Sequence, residues 1–262
     1  MEQLKIKTYI INLPRDMERK NSITKELSKM TCLDLEFVDA IDGRELGKDK
    51  LGELFDFKKS KNYHFDDLTL GEVGCTLSHY ECYKKLLASD QEFALIVEDD
   101  AGFRGKEPFD ELFEKMVRYV NNEKPIALQI FSFFDYMGKG VPFAFGHKIY
   151  KTYRSALTTI YLINKSAARI IVSEGLPYWV ADDWSLFRRK GVQTYALYPS
   201  FAYHKDETLG SSIGWDDRKK RTLRIPHSWM ESRALINEGI RLSLKILGIM
   251  KHKDYIRYCE KE

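Results

Sequence analysis

Short apolar runs alternate along this chain with segments of helical period. Residues 6–13, Ile-Lys-Thr-Tyr-Ile-Ile-Asn-Leu, predict a first strand that Pro14 ends. Met17, Ile23, Leu27 and Met30 then fall at helical spacing over 16–30. Residues 34–40 predict a second strand, and Asp42-Gly43 a turn. Residues 44–70 lack a clear period and predict an excursion with one short helix near Asp49–Phe55. Leu77, Tyr80, Tyr83, Leu86 and Leu87 share one face of a helix over 76–88. The unbroken run Phe93 to Val97 reads as a buried strand. Phe109, Leu112, Phe113, Met116, Val117 and Val120 form one stripe of a helix over 109–120, with Pro108 at its first turn. Further strands are predicted near 126–132, 157–163 and 193–198. Further helices are predicted near 166–174 and 183–190, the last stopped by Gly191. This alternation predicts an α/β fold with a mostly parallel central sheet and helices on both faces.

From Trp215 the character changes. Residues 216–224 are strongly charged, and residues 231–250 predict a helix with Ile236, Ile240, Leu244 and Leu247 along one side. Six Lys/Arg lie between Arg233 and Arg257 against Glu238 and Asp254. The chain therefore divides into a main domain, 1–214, and a charged helical extension, 215–262. A basic amphipathic helix either packs on its domain or lies on an anionic membrane.

Bulk composition narrows the classes. A chain of 262 residues is long enough to bury a real core. A net charge of +3 carries no global nucleic-acid signature, so no nucleic-acid partner is expected. No apolar run approaches the ~18 residues of a spanning helix. The start, Met-Glu-Gln-Leu-Lys, lacks a signal-peptide core. Cys32, Cys75, Cys82 and Cys259 contain no C-x-x-C pair, so no zinc site is expected. On one helix Cys75 and Cys82 would stand about 10 Å apart, too far to bridge. The expectation is a cytoplasmic protein with free thiols.

The strand at 93–97 stops at three consecutive acids, Glu98, Asp99 and Asp100. Open α/β sheets bind ligands at the C-terminal ends of their strands. If the extended geometry continues, Glu98 and Asp100 point the same way. Two convergent carboxylates suit a hard divalent ion shared with a phosphate; the plain alternative is a solvated strand exit. Arg15 and Arg19 open the first helix, either solvated or gripping a diphosphate. Asp39 and Asp42 are ribose partners or turn residues. In Gly71-Glu72-Val73-Gly74-Cys75-Thr76-Leu77-Ser78-His79, two glycines before a helix would let backbone approach a ligand. Thr69-x-x-Glu72 and Ser78-x-x-Glu81 each resemble a capping box.

Asn12-Leu13-Pro14-Arg15 with Arg19, Asp39-Ala40-Ile41-Asp42-Gly43, the Gly71–His79 block and Ile96-Val97-Glu98-Asp99-Asp100 resemble glycosyltransferase family 25 in order and spacing. The resemblance covers about residues 5–215. That family includes bacterial lipooligosaccharide galactosyltransferases and collagen galactosyltransferases. The resemblance implies a GT-A-type nucleotide-sugar-binding fold, Mn2+ or another divalent cation, a UDP-sugar donor, a glycan or glycolipid acceptor, and inversion at the anomeric carbon. It places metal and diphosphate on Glu98 and Asp100, and ribose or donor sugar at Asp99. It sets Asn12, Leu13, Arg15, Arg19, Asp39 and Asp42 around the nucleotide, and Ser78 and His79 against donor or acceptor.

Val180-Ala181-Asp182-Asp183-Trp184 resembles the family's late acidic-aromatic motif. A single displacement needs one base for the acceptor hydroxyl. Asp183 is preferred over Asp182, one of the pair being free to cap the helix that follows, and Trp184 could carry the acceptor sugar. Tyr203-His204-Lys205-Asp206 and Ser211-Ser212-Ile213 resemble the C-terminal signature, with His204 where a glutamine commonly stands. His204 is a further metal or phosphate ligand or a surface histidine.

The expectation is an inverting, metal-dependent transferase. It would move a hexose, galactose from UDP-galactose, onto a lipooligosaccharide or lipopolysaccharide glycan. The basic C-terminal helix would rest on the cytoplasmic face of the inner membrane. Two competing readings are a nucleotidyltransferase and a non-catalytic glycan- or nucleotide-binding module. The first would need a glycine-rich, Lys/Arg-bearing loop after strand one, and Asn12-Leu13-Pro14-Arg15 lacks that glycine pattern.

Overall fold

Residues 5–64, 66–105, 108–205 and 229–254 are described by a computed structural model. The first half of the chain builds β1 (Ile6–Asn12), α1 (Met17–Leu27), β2 (Leu33–Asp39), α2 (Gly43–Leu54), α3 (Phe57–His64), α4 (Leu70–Ala88), β3 (Phe93–Glu98), β4 (Ala101–Phe103) and α5 (Phe109–Val120). The second half adds β5 (Ile126–Gln129), β6 (Phe133–Met137), β7 (Val141–Pro142), β8 (Lys148–Ala156), β9 (Ile160–Asn164), α6 (Lys165–Val172), α7 (Trp184–Arg189), β10 (Gln193–Tyr198), β11 (Ala202–His204), α8 (Trp229–Ile246) and β12 (Met250–Lys253).

The main sheet runs β12-β6-β8-β10-β5-β9-β3-β1-β2, with β7 beside β8; β11 and β4 form a separate pair. Strands β2, β1 and β3 are parallel to one another, as are β5 and β10. β9 enters between β3 and β5 antiparallel to both, and β6, β8 and β12 extend the sheet antiparallel. The sheet is therefore mixed, not mostly parallel as the alternation of elements suggested. After β5 the chain returns through the β6–β8 meander instead of a helical crossover, so β9 comes back reversed.

Alternation along the central strands builds two cores. In β3, Phe93, Leu95 and Val97 face one side with Ile23 and Leu27 of α1 and Leu112, Phe113 and Met116 of α5. Ala94 and Ile96 face the other, with Tyr83 and Leu86 of α4, Ala168 and Ile171 of α6, and Trp184. The period of 2 in the strand and of 3.6 in α5 dictates this split. Each large side chain buried this way contributes about 1.5–3 kcal/mol.

Residues 44–70 hold two helices where one was expected. Asp42 caps α2, which kinks at Gly47 (φ 72°), and that kink hides its period. α4 begins at Leu70, not near 76, because Thr69 and Glu72 close a reciprocal capping box. Gly71 and Gly74 thus lie inside the helix instead of before it. Gly74 serves packing: a Cβ there would stand 2.4 Å from the Ile41 carbonyl oxygen and 2.7 Å from the Gly43 nitrogen. A Cβ at Gly43 would stand 2.0 Å from the Leu70 carbonyl oxygen. Two backbones meet there, and neither can give way.

The helix expected over 231–250 ends at Ile246, and β12 follows and pairs with β6. Arg241 and Lys245 of α8 and His252 of β12 each reach the buried Asp135 of β6 at 2.7 Å. Burial opposes ionisation of Asp135, but Lys245, Arg241 and His252 outweigh it and hold the carboxyl below the usual range. The polar edge of α8 therefore faces the sheet. Ile240, Leu242 and Ile246, with Leu247 and Ile249 beyond the helix, are exposed. Ser211-Ser212-Ile213, the charged stretch 216–224, the boundary at 214/215 and Cys259 lie outside the described residues, as does the side chain of Ile236. No described helix is long and apolar enough to cross a membrane.

Asp135→Asn should loosen this closure. Charge-assisted hydrogen bonds are worth about 1.5–3 kcal/mol, so amide exchange in Met250–Lys253 should quicken at least about tenfold. Unchanged protection of that strand would show that apolar contact, not the charge cluster, seats it.

Candidate active site

Parallel register assembles the site. It sets Asn12 beside Asp39 and Ile11 beside Glu98, so the motifs that end β1, β2 and β3 reach the same sheet edge. There they border a cleft of ≈ 570 Å³. Asn12, Leu13, Arg15, Arg19, Asp42, Ser78, His79, Glu98, Asp99, Asp100, Asp182 and His204 all line it. Asp39 and Asp183 are not among its lining residues.

The three acids separate by direction. Asp99 turns inward, where the Asn12 amide donates to one oxygen at 2.8 Å and Arg19 to the other at 2.7 Å. Burial drives its pKa up to about 6, although Asn12 and Arg19 pull the other way. Arg19 is itself buried, and it also approaches Asp100 at 3.4 Å. Arg19 thus serves as an internal counterion to these acids while still lining the cleft. Arg15 stays exposed and pairs with Asp42 and Glu45. Asp42 also caps α2 through the Arg44 N–H, at 2.9 Å.

Glu98 and Asp100 face the cleft side of the strand end. The Thr158 hydroxyl donates to Glu98 at 2.5 Å, and His79 Nε2 lies 3.0 Å from the same oxygen. Burial disfavours the charged form of Glu98, yet these partners win and keep its pKa below the ordinary value. His79 is buried, its Nδ1 2.8 Å from the Tyr161 hydroxyl, which in turn meets the Tyr83 hydroxyl at 2.8 Å. Antiparallel pairing of β11 with β4 brings His204 Nε2 to 3.1 Å from Asp100.

Glu98, Asp100 and His204 each offer a ligand atom, all within 4.8 Å of one another. The other Asp100 oxygen, Oδ1, is buried with no hydrogen-bond partner among the described residues. An enclosed lone pair without a donor is costly unless a cation meets it. Two carboxylates and an imidazole therefore fit a divalent cation.

Ser78 serves the scaffold. Its hydroxyl accepts from the Ile41 N–H at 2.9 Å and donates to the Gly74 carbonyl at 2.8 Å, pinning the 39–43 turn to α4. Asp183 is engaged at both oxygens: it caps α7 through the Leu186 N–H at 2.9 Å and accepts from the Tyr63 hydroxyl at 2.7 Å. Asp182 lines the cleft and accepts from the Leu157 N–H at 3.2 Å. Trp184 is buried in the core and donates to the Leu157 carbonyl at 2.9 Å, so its face is closed to an acceptor sugar.

Sequence reasoning missed Leu157, Thr158 and Cys75. Leu157 holds φ 79°, a conformation leucine rarely adopts, and hydrogen bonds at both its N–H and its carbonyl fix it there. That bend delivers the Thr158 hydroxyl to Glu98. Nothing in Ala156-Leu157-Thr158-Thr159 signals it, because the bonds come from Asp182 and Trp184, far along the chain.

The folded pKa of Asp99 exceeds the ordinary aspartate value of about 3.9. Between about pH 4 and 6 the folded chain keeps a proton that the unfolded chain has released. Ionisation of Asp99 therefore subtracts stability as pH rises through that window, and the loss is complete above it. Arg19→Met should raise the midpoint above 6, read from carbon NMR of labelled aspartate carboxyls. A midpoint that stays put would remove Arg19 as the counterion.

The model of glycosyltransferase family 25 (LPS biosynthesis protein) matches residues 5–184. A glycosyltransferase 25 family member from Aedes aegypti is 41% identical over 115 residues, covering 43% of this chain and 18% of that protein. Human procollagen galactosyltransferase 2 is 31% identical over 118 residues, covering 44% of this chain and 18% of that protein. The chain matches under a fifth of the length of these relatives. Among solved structures, a UTP-bound UGPase from Acinetobacter baumannii covers 90% of this chain and 99% of its own, at 9% identity and a TM-score of 0.43, too loose a likeness to carry an argument. The family match spans both the glycine-serine-histidine helix and the acidic strand end that build the cleft, and the chain belongs to glycosyltransferase family 25.

Proposed function

We propose that this chain is an inverting, divalent-metal-dependent glycosyltransferase that moves a hexose, galactose from UDP-galactose, onto a lipooligosaccharide or lipopolysaccharide glycan. The observation that carries the reading is the buried Asp100 oxygen with no hydrogen-bond partner among the described residues, beside Glu98 and His204, in a cleft that Asp182 also lines. Glu98, Asp100 and His204 would hold the cation, Mn2+ in this reading. When bound, it supplies positive charge to the departing diphosphate. Arg15 and Asp42 stand at the cleft for the nucleotide.

Asp182 takes the proton from the acceptor hydroxyl, whose oxygen attacks the anomeric carbon as the bond to the diphosphate oxygen breaks. One displacement inverts that centre. Asp182 is preferred to Asp183 because Asp183 is spent on the α7 cap and Tyr63. The Leu157 N–H aims the Asp182 carboxylate. A nucleotidyltransferase would need a glycine-rich loop after β1, where Leu13-Pro14-Arg15 stands instead.

Asp100→Asn should abolish both transfer and metal-dependent UDP binding, measured by calorimetry with and without Mn2+. Asp182→Asn should cut kcat by about 10²–10⁴-fold while UDP binding persists. Asp183→Ala should cost about 0.5–2 kcal/mol of stability through its cap and leave kcat within a few-fold. Near-normal turnover in Asp182→Asn would transfer the role elsewhere.

The reading extends to location, a cytoplasmic chain resting on the anionic inner face of the membrane. Its support is the outward apolar side of α8, with Leu242 and Ile246 exposed, followed by the exposed Leu247, Ile249 and Lys251. Co-sedimentation with phosphatidylglycerol vesicles should fall several-fold in Ile246→Asp, with transfer to a soluble acceptor unchanged. Equal sedimentation of both proteins would refute the contact.

A further inference from the structure

The cleft holds two donors that the proposed reaction does not use, Cys75 and His79. Cys75 and His79 are four residues apart on α4 and share one face of it. That face meets the end of β3 at Glu98. One ligand atom from each of Cys75, His79 and Glu98 lies within 4.8 Å of the other two. We propose that these three residues form a distinct binding site for a borderline-soft divalent ion, zinc above all, which shares Glu98 with the Glu98–Asp100–His204 set.

Three observations support it. His79 Nε2 and the Glu98 oxygen stand 3.0 Å apart. With metal bonds of about 2.0 Å, a tetrahedral N···O edge is about 3.3 Å, so two donors already stand close to coordination distance. The His79 ring is buried and its Nδ1 is turned to the Tyr161 hydroxyl, itself backed by Tyr83. An outer partner on the far nitrogen is what orients a ligating histidine. Cys75 is half-buried and lines the cleft, so an ion can enter from solvent, whereas Cys82 is sealed in the core with its thiol pushed up by burial.

The donor types decide the metal. Thiolate and imidazole favour zinc over manganese or magnesium, whereas two carboxylates with one imidazole suit the harder ions. On binding, the Cys75 thiol releases its proton to solvent, a metal–sulfur bond forms, and water from the cleft completes the tetrahedron. Zinc there draws Glu98 away from the first set. Resting on the proposed transfer reaction, zinc is therefore an inhibitor that manganese does not readily displace.

Cobalt(II) is the probe, because a thiolate–cobalt bond gives near-ultraviolet charge-transfer absorption that oxygen and nitrogen ligands do not. The full chain, titrated with cobalt alone, should show this band saturating near one equivalent and vanishing on addition of zinc. Asp100→Asn should keep the band. Cys75→Ser should lose it by more than about tenfold, with Cys75→Ala as the second variant and circular dichroism confirming the fold of each. A band that survives both cysteine variants, cobalt binding without a band, or loss of the band in Asp100→Asn would each overturn the separate site. The transfer reading fails differently: no turnover with manganese while the band remains.

Discussion

A carboxylate taken out of water must find partners or lose its charge, and Asp99 is enclosed with Asn12 on one oxygen and Arg19 on the other. That clasp ties β1, α1 and the end of β3 into one unit. It also sets the directions of the neighbouring acids. With the middle residue drawn inward, Glu98 and Asp100 are left on the open side, where His204 joins them. Breaking one partner of such a buried pair typically costs about 3–5 kcal/mol, so the clasp supports the fold and the cleft together.

A second constraint is steric. The backbones of Gly43 and Gly74 approach so closely that no side chain fits at either position. Ser78 adds a hydroxyl bridge across the same junction. These contacts hold the 39–43 turn against α4 and shape one side of the cleft. The signature block from Gly71 to His79 thus mixes two kinds of residue. Gly74 and Ser78 make the junction possible, while Cys75 and His79 present their donors to Glu98.

The second half of the chain contributes through long-range bonds. Leu157 bends under hydrogen bonds from both sides and delivers Thr158 to Glu98. Asp183 starts α7, and that helix places Trp184 where its indole holds the Leu157 carbonyl. At the far edge of the sheet, Asp135 gathers Arg241, Lys245 and His252 and so reverses the usual orientation of an amphipathic helix. A buried acid outweighed the apolar stripe in choosing which face of α8 meets the sheet.

Periodicity alone was enough for β1, β3 and α5, because α5 buries one continuous apolar stripe and the two strands are short apolar runs buried on both faces. It also marked the acidic strand end, since a run of apolar residues that stops at three acids has few other readings. It could not show that β9 runs backward, since a strand's residue pattern carries no direction. Nor could it find β6 and β8, whose inward positions include Asp135, Thr152 and Ser155, partnered or packed by other elements instead of following simple alternation. Adjacent acids were the hardest to separate. Asp182 and Asp183 are neighbours in the sequence, and the α7 cap and Tyr63 at Asp183, with Leu157 at Asp182, distinguish them. Local pattern determines which residues are buried or exposed; which partner each polar group meets is decided by elements far apart in the chain, and those partners assign the chemistry.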